Sequence, residues 1–192
     1  MSRNQPTVPV ISRRAFFTVA AAGAVAAAAP AFGAAPSVLR NAGDFRALSL
    51  LNGHTAERLN CVYWIDGAYV PEALEAFNYI LRDWRENLIM QIDRKTIDIM
   101  AATHGLLDCS EPFEVVSGYR SPKTNAMLRG NGRGVAKNSY HMKGMAVDIA
   151  CSTRSVGQVA SAAKSLGAGG VGRYSRSSFT HMDSGPVREW GR

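Results

Sequence analysis

Asp148 stands inside an otherwise apolar run, Met145-Ala146-Val147-Asp148-Ile149-Ala150, and no other feature of the chain constrains its fold as tightly. In a strand the side chains alternate, so Val147 and Ile149 face one side while Ala146, Asp148 and Ala150 face the other. A carboxylate bounded by apolar residues has to be paired, hydrogen-bonded or metal-bound to stay charged. Partners are at hand. His141 lies in the turn entering the strand, and Gly144 lets the backbone bend between it and Asp148. Further on, Phe179-Thr180-His181-Met182-Asp183 reads as a last strand on which His181 and Asp183 share a face.

The rest of the chain supplies a scaffold for these two strands. Residues 34–70 read as an irregular arm with short extended pieces at Leu48-Ser49-Leu50 and Val62-Tyr63-Trp64-Ile65, followed by a turn at Asp66-Gly67. Pro71 suits the first position of a helix, and Leu74, Phe77, Leu81 and Trp84 continue it as one apolar stripe. Phe77 and Trp84 are read as packing residues. A second helix covers roughly residues 92–104, with Ile92, Thr96, Ile99 and Met100 inward and Gly105 as its stop. Phe113-Glu114-Val115-Val116 reads as a strand. Ser121 caps a short helix from Pro122 to about Arg129, and Val156, Val159, Ala163 and Leu166 mark another. Helices first and a small sheet later describe an α+β domain with a small antiparallel sheet packed against helices.

The first 33 residues read differently. Ser12-Arg13-Arg14-Ala15-Phe16-Phe17 opens an alanine-rich apolar run that Pro30 breaks, with small residues at 31–34 where a signal peptidase reads. This is the pattern of an export signal of the twin-arginine type, with an ordinary secretory signal as the alternative. It divides the chain into a signal at 1–33 and one domain at 34–192, and places the mature protein in the periplasm with no stable membrane span. Removing residues 1–33 takes away three arginines and no acid, so the net charge falls from +7 to +4. That mild excess, spread over Lys123, Arg129, Arg133, Lys137 and Lys143, is too sparse for a nucleic-acid interface and favours an anionic surface or wall polymer only weakly. Of the three cysteines, Cys109 stands just before one strand and Cys151 just after another, which makes them the better-placed pair; three unpaired thiols is the alternative.

Taken singly, His141 reads as a surface-turn histidine, Asp148 as an ion-pair partner for Arg120, and His181 as a hydrogen-bonded core histidine. Taken together they match a catalytic zinc site, in which two imidazoles and one carboxylate leave a fourth position for water. His54 and Glu57 lie in the arm, where they either tie it down or reach a cleft. His104, near a helix C-terminus, is expected to serve the helix dipole alone.

Ser139-Tyr140-His141-Met142-Lys143-Gly144-Met145-Ala146-Val147-Asp148 resembles the Ser-x-His-x-x-Gly-x-Ala-x-Asp signature of the VanY-like zinc D-Ala-D-Ala carboxypeptidases and murein endopeptidases. Ser117-Gly118-Tyr119-Arg120-Ser121-Pro122 with Asn125 is similar to the element that precedes it. Gly169-Gly170-Val171-Gly172, Phe179 to Gly185, Asn52 to Glu57 and Leu81 to Arg85 resemble the YcbK-like (MepK-like) branch, so the likeness runs from about residue 46 to Trp190. It implies a Hedgehog/D-Ala-D-Ala peptidase-like fold and a zinc metallopeptidase acting on peptidoglycan stem peptides, an endopeptidase rather than a carboxypeptidase. It implies His141, Asp148 and His181 as zinc ligands, with Arg120 facing the substrate to steady an oxyanion or grip a carboxylate. Ser139 either touches substrate or caps its loop. In one respect the chain departs from the family: Ser177, Ser178, Phe179 and Thr180 stand where relatives carry a glutamate or histidine as general base. Asp183 is the nearest ionisable group. It is either that base or the hydrogen-bond partner that holds His181, and the second reading is favoured. Loss of the base would leave a non-catalytic peptidoglycan-binding module. No residue points to a regulatory partner.

Overall fold

The computed structural model describes residues 44–131 and 134–191, and the expected export signal lies outside them. In chain order the elements are β1 (Phe45–Asn52), β2 (Arg58–Ile65), β3 (Ala68–Tyr69), α1 (Pro71–Ile80), α2 (Arg94–Leu106), β4 (Phe113–Ser117), α3 (Pro122–Gly130), β5 (Ala146–Ala150), α4 (Val156–Ser165), β6 (Gly170–Tyr174), β7 (Phe179–Asp183) and β8 (Arg188–Gly191). A 3-10 turn at Tyr140–Lys143 leads into β5.

The strands form one eight-stranded sheet in the order β3-β2-β1-β4-β5-β7-β6-β8. This is larger than the small antiparallel sheet expected, and it is mixed: β1 runs parallel to β4, and β6 parallel to β8. The β1–β4 connection carries α1 and α2, and a crossover of that length is what a parallel pair needs. The supposed irregular arm is in fact β1, β2 and β3. Its pattern is hard to read because β1 exposes Phe45 (59 %) and buries Arg46 (7 %), inverting the usual apolar-in rule. Arg46 lies over the Trp64 ring and 3.7 Å from Asp98 on α2, which also accepts hydrogen bonds from Tyr63 and Tyr69.

The helices form where the local signals place them, although α2 runs through Gly105 to Leu106 rather than stopping there. Pro71 opens α1, although the helix stops at Ile80 rather than running on to Trp84. Asp93 caps α2 and Ser121 caps α3, each accepting from a backbone N–H of the first turn. Ser155 and Gln158 make a reciprocal capping box at the start of α4. α1 packs on β2, α2 on β1, β7 and α4, and α4 on β6 and β7. Between helices and sheet lies the core, with Leu48, Leu50, Tyr63, Phe77, Ile97, Met100, Phe113, Val147, Ile149 and Met182 all buried.

One side of the sheet is thereby assigned to packing. Val147 pairs with Met182 across β5 and β7, and the Met182 sulfur meets Thr103 of α2. By alternation, Asp148 and His181, which pair in the next register position, lie on the opposite face. Among the described residues no helix is long and apolar enough to cross a membrane.

Candidate metal centre

The site is built on one row of the sheet. Ser117 stands opposite Asp148, Asp148 opposite His181, His181 opposite Gly172, and Gly172 opposite Trp190, so the row crosses β4, β5, β7, β6 and β8. Gly172 is the bare position in this row. A Cβ there would meet the Trp190 indole at 2.5 Å, so the missing side chain is what lets Trp190 lean across β6 toward His181, its ring centroid 5.2 Å from the imidazole.

His141 enters from above the row. Ser139 accepts the His141 backbone N–H at 3.3 Å and so caps the 3-10 turn, while Gly144 ends it with a φ of 67°. The His141 ring is buried. Its Nδ1 lies 2.7 Å from the Gly118 carbonyl oxygen, which only accepts, so this nitrogen carries the proton and Nε2 keeps its lone pair. His181 is held in the mirror arrangement. Its Nε2 lies 2.9 Å from Asp183 Oδ2, which leaves Nδ1 to face inward. The inward atoms converge: His141 Nε2 and His181 Nδ1 are 3.2 Å apart, and Asp148 Oδ1 lies 3.2 Å from the first and 2.8 Å from the second. Among the described residues, His141, Asp148 and His181 are the group of side chains able to surround a metal ion.

The electrostatics follow from burial and proximity. Burial opposes charge on Asp148, but the pull of His141 and His181 overrides it and holds the carboxyl well below the usual range. For His141 burial wins, pushing the imidazolium down despite Asp148, so the neutral ring is favoured. His181 is also penalised by burial, yet hydrogen bonds to Asp148 and Asp183 raise it. A carboxylate and two imidazoles aiming lone pairs at one point repel unless a proton or a cation lies between them. A tetrahedral site with bonds of about 2.0–2.1 Å has edges of about 3.3 Å, close to the distances seen. The donor set fits a zinc-like ion.

Asp183 is fully buried and saturated. Its Oδ1 accepts from Gly170 N, Gly185 N and Arg188 Nη1, and its Oδ2 from His181 and Arg188 Nη2. With burial outweighed by His181 and Arg188, its carboxyl is held far below the ordinary range. Arg188 reaches it across β6, because Gly170 stands between them in the register and carries no side chain. A Cβ on Gly170 would lie 2.5 Å from Asp183 Oδ2 and closer still to Arg188. Sequence reasoning missed Arg188 and Trp190. No local spacing announces either, because both act across a glycine on a neighbouring strand.

Arg120 donates from Nε to Ser117 Oγ at 2.8 Å and from Nη2 to Asp148 Oδ2. The ion pair set out as one alternative in the sequence is therefore present, and it places the guanidinium at the edge of the triad, its side chain 12 % exposed. His54 ties the arm down: its Nε2 bonds the Val116 carbonyl at 3.0 Å inside a register irregularity of β4, and its ring stacks on Trp84 at 4.2 Å. Glu57 is engaged with Arg82. His104 does more than serve the helix dipole. Its Nε2 bonds the Glu111 carbonyl at 2.8 Å, and the ring meets the edge of Phe113.

The family model described as peptidoglycan L,D-endopeptidase MepK, of the M15 peptidases, matches residues 40–190. The peptidoglycan L,D-endopeptidase MepK of Escherichia coli K12 is 43 % identical over 145 residues, which cover 76 % of this chain and 80 % of that protein. The probable peptidoglycan L,D-endopeptidase MepK of Haemophilus influenzae Rd is 42 % identical over 149 residues, covering 76 % and 78 %. Sequence shared at that level along four-fifths of each relative settles the lineage: the chain belongs to the MepK family of M15 metallopeptidases.

Proposed function

We propose that this chain is a zinc-dependent peptidoglycan endopeptidase of the L,D type, exported by the signal at 1–33 and working in the periplasm through the domain at 34–192. His141, Asp148 and His181 are its metal ligands. The observation that carries this reading is the convergence of three acceptor atoms from those residues within 3.2 Å of one another. Two imidazoles and a carboxylate suit zinc, and they leave a fourth position for water. Bound there, zinc supplies a Lewis acid for the scissile carbonyl and brings the pKa of a water to about 7.

The chain's own residues prepare the site. Gly118 fixes the proton of His141 on Nδ1 and Asp183 fixes that of His181 on Nε2, so each ring offers one committed lone pair. Arg188 holds Asp183 in place, which makes Asp183 a positioning residue rather than the general base. Ser139 sets the turn that aims His141. Arg120 keeps a fixed positive charge beside the carboxylate, where it steadies negative charge developing on the amide oxygen or grips a neighbouring substrate carboxylate. The +4 balance of the domain suits stem peptides that carry carboxylates.

Metal analysis of the purified mature protein tests the ligands: about one zinc per chain is expected, with His141→Ala and His181→Ala both losing it. Digestion of purified sacculi by the zinc-loaded protein tests the activity. New muropeptides released from L,D cross-links are expected. Sacculi that are bound but never cut at full zinc occupancy would overturn the enzyme and leave a binding module.

A further inference from the structure

Two of the three cysteines face each other at one end of the central strand pair β4 and β5. Cys109 lies in the turn between α2 and β4, and Cys151 follows the last residue of β5. β4 and β5 are antiparallel neighbours with Glu114 opposite Ala150, so the start of one strand meets the end of the other. The two sulfur atoms are 3.9 Å apart. Arg154 binds the two loops together independently, donating from Nε to the Leu107 carbonyl at 3.0 Å and from Nη2 to the Asp108 carbonyl at 2.7 Å. Cys61 is set apart from Cys151: it lies on β2, and β1 and β4 separate β2 from β5. Three strand spacings of about 4.8 Å put roughly 14 Å between those strands.

A metal is not what the pair holds. The nearest candidate third ligand is His104, with its Nε2 3.6 Å from Cys109 Sγ, but that nitrogen lies 2.8 Å from the Glu111 carbonyl and therefore carries a proton. Both thiols are only partly buried, and Cys151 lines an open cleft of about 230 Å³ with Arg154, Ser155 and Ser178. An incoming disulfide reaches Cys151 there.

We propose that Cys109 and Cys151 form a disulfide in the folded protein. The proposal rests on the extracytoplasmic reading above for its oxidising surroundings. The oxidant is another disulfide, either oxidised glutathione or a protein disulfide donor. The Cys151 thiolate attacks it and releases one thiol, and the Cys109 thiolate then displaces the second. Two thiols lose two electrons and two protons, and the oxidant's disulfide becomes two thiols. Bond formation brings the sulfur atoms from 3.9 Å to about 2.05 Å. The ring so closed contains Arg120, Ser139, His141 and Asp148, while His181 lies outside it. Oxidation therefore clasps the segment that carries most of the site.

The test treats zinc-loaded mature protein with oxidised glutathione, alkylates it, and maps the peptides by mass spectrometry without reduction. The expected result is one linked pair, 109–151, with Cys61 alkylated. Reduction with a phosphine should lower the Tm of the wild type and of Cys61→Ser by about 5 °C or more, and leave Cys109→Ser and Cys151→Ser unmoved. Three alkylated thiols after oxidation, or a link that includes Cys61, would overturn the proposal. Fractionated cells separate it from the location: linked protein outside the cytoplasm supports both, and reduced protein there overturns the disulfide. Protein retained in the cytoplasm overturns the location and leaves the pairing measured in vitro standing.

Discussion

Arg188 grips both carboxylate oxygens of Asp183, Nη1 on Oδ1 at 2.9 Å and Nη2 on Oδ2 at 2.7 Å. The fork holds a fully buried carboxylate whose remaining valence is spent on His181 and two backbone N–H groups. Such an acid orients an imidazole and keeps no lone pair free for another donor. Asp183→Asn should weaken zinc affinity about 10- to 100-fold, as loss of a ligand's outer partner does. Turnover at saturating zinc should stay within about tenfold of wild type. Chelator-competition titration beside sacculus digestion separates the two, and a variant that binds zinc fully yet never cuts would restore Asp183 as the base.

Gly170→Ala should imitate the loss of Arg188. Its Cβ would fall between the guanidinium and Asp183 Oδ2, so the fork has to open. The expected outcome is a fall in zinc affinity comparable to that of Arg188→Ala, with the double variant little worse than either single, because both changes remove one contact. Additive losses in the same titration would refute this account.

Arg120 lies at the edge of the triad, bonded to Asp148 and outside the proposed ligand set. Arg120→Ala should lower kcat by about 100-fold or more and keep about one zinc per chain. Arg120→Lys should recover only part of the activity, since a single ammonium cannot keep the Ser117 and Asp148 contacts together. Steady-state kinetics on a soluble cross-linked muropeptide reads both values, and equal kcat in all three proteins would remove Arg120 from the mechanism.

The Glu57–Arg82 pair makes stability depend on pH in a predictable direction. Arg82 is buried and donates to Glu57 Oε2 at 2.8 Å and Oε1 at 3.0 Å. Although burial opposes it, this pairing lowers the Glu57 carboxyl below its ordinary value of 4.5. A carboxyl lowered in the folded state contributes stability above its unfolded pKa and loses it as pH falls through the folded one. Glu57→Gln should therefore cost about 1–3 kcal/mol at pH 7, measured by urea unfolding. The gap to wild type should shrink as pH drops below about 4.

Much of this site is legible in the sequence, because its signals are local. The alternation of Ala146, Asp148 and Ala150 against Val147 and Ile149 places the carboxylate on the face away from the helices, and the register confirms that Asp148 meets His181. Ser121-Pro122 and Pro71 open helices where such pairs should. What escapes is set by partners far along the chain. Arg46 is buried in β1 because Asp98 and Trp64 await it, and without them the strand looks like an arm. Arg188 and Trp190 matter because Gly170 and Gly172 leave gaps on the strand between them and their targets, a relation that only pairing creates.

The row from Ser117 through Asp148, His181 and Gly172 to Trp190 also sets a scale for whatever binds. It crosses four gaps between strands, a track about 19 Å long at the usual strand spacing. A molecule that touches both Arg120 and Trp190 has to lie athwart the strands. It cannot dock as one more strand at an edge, taking its affinity from the backbone ladder. What the row offers on the sheet face is side chains, so substitution along it changes the chemistry of that face and leaves the backbone ladder in place.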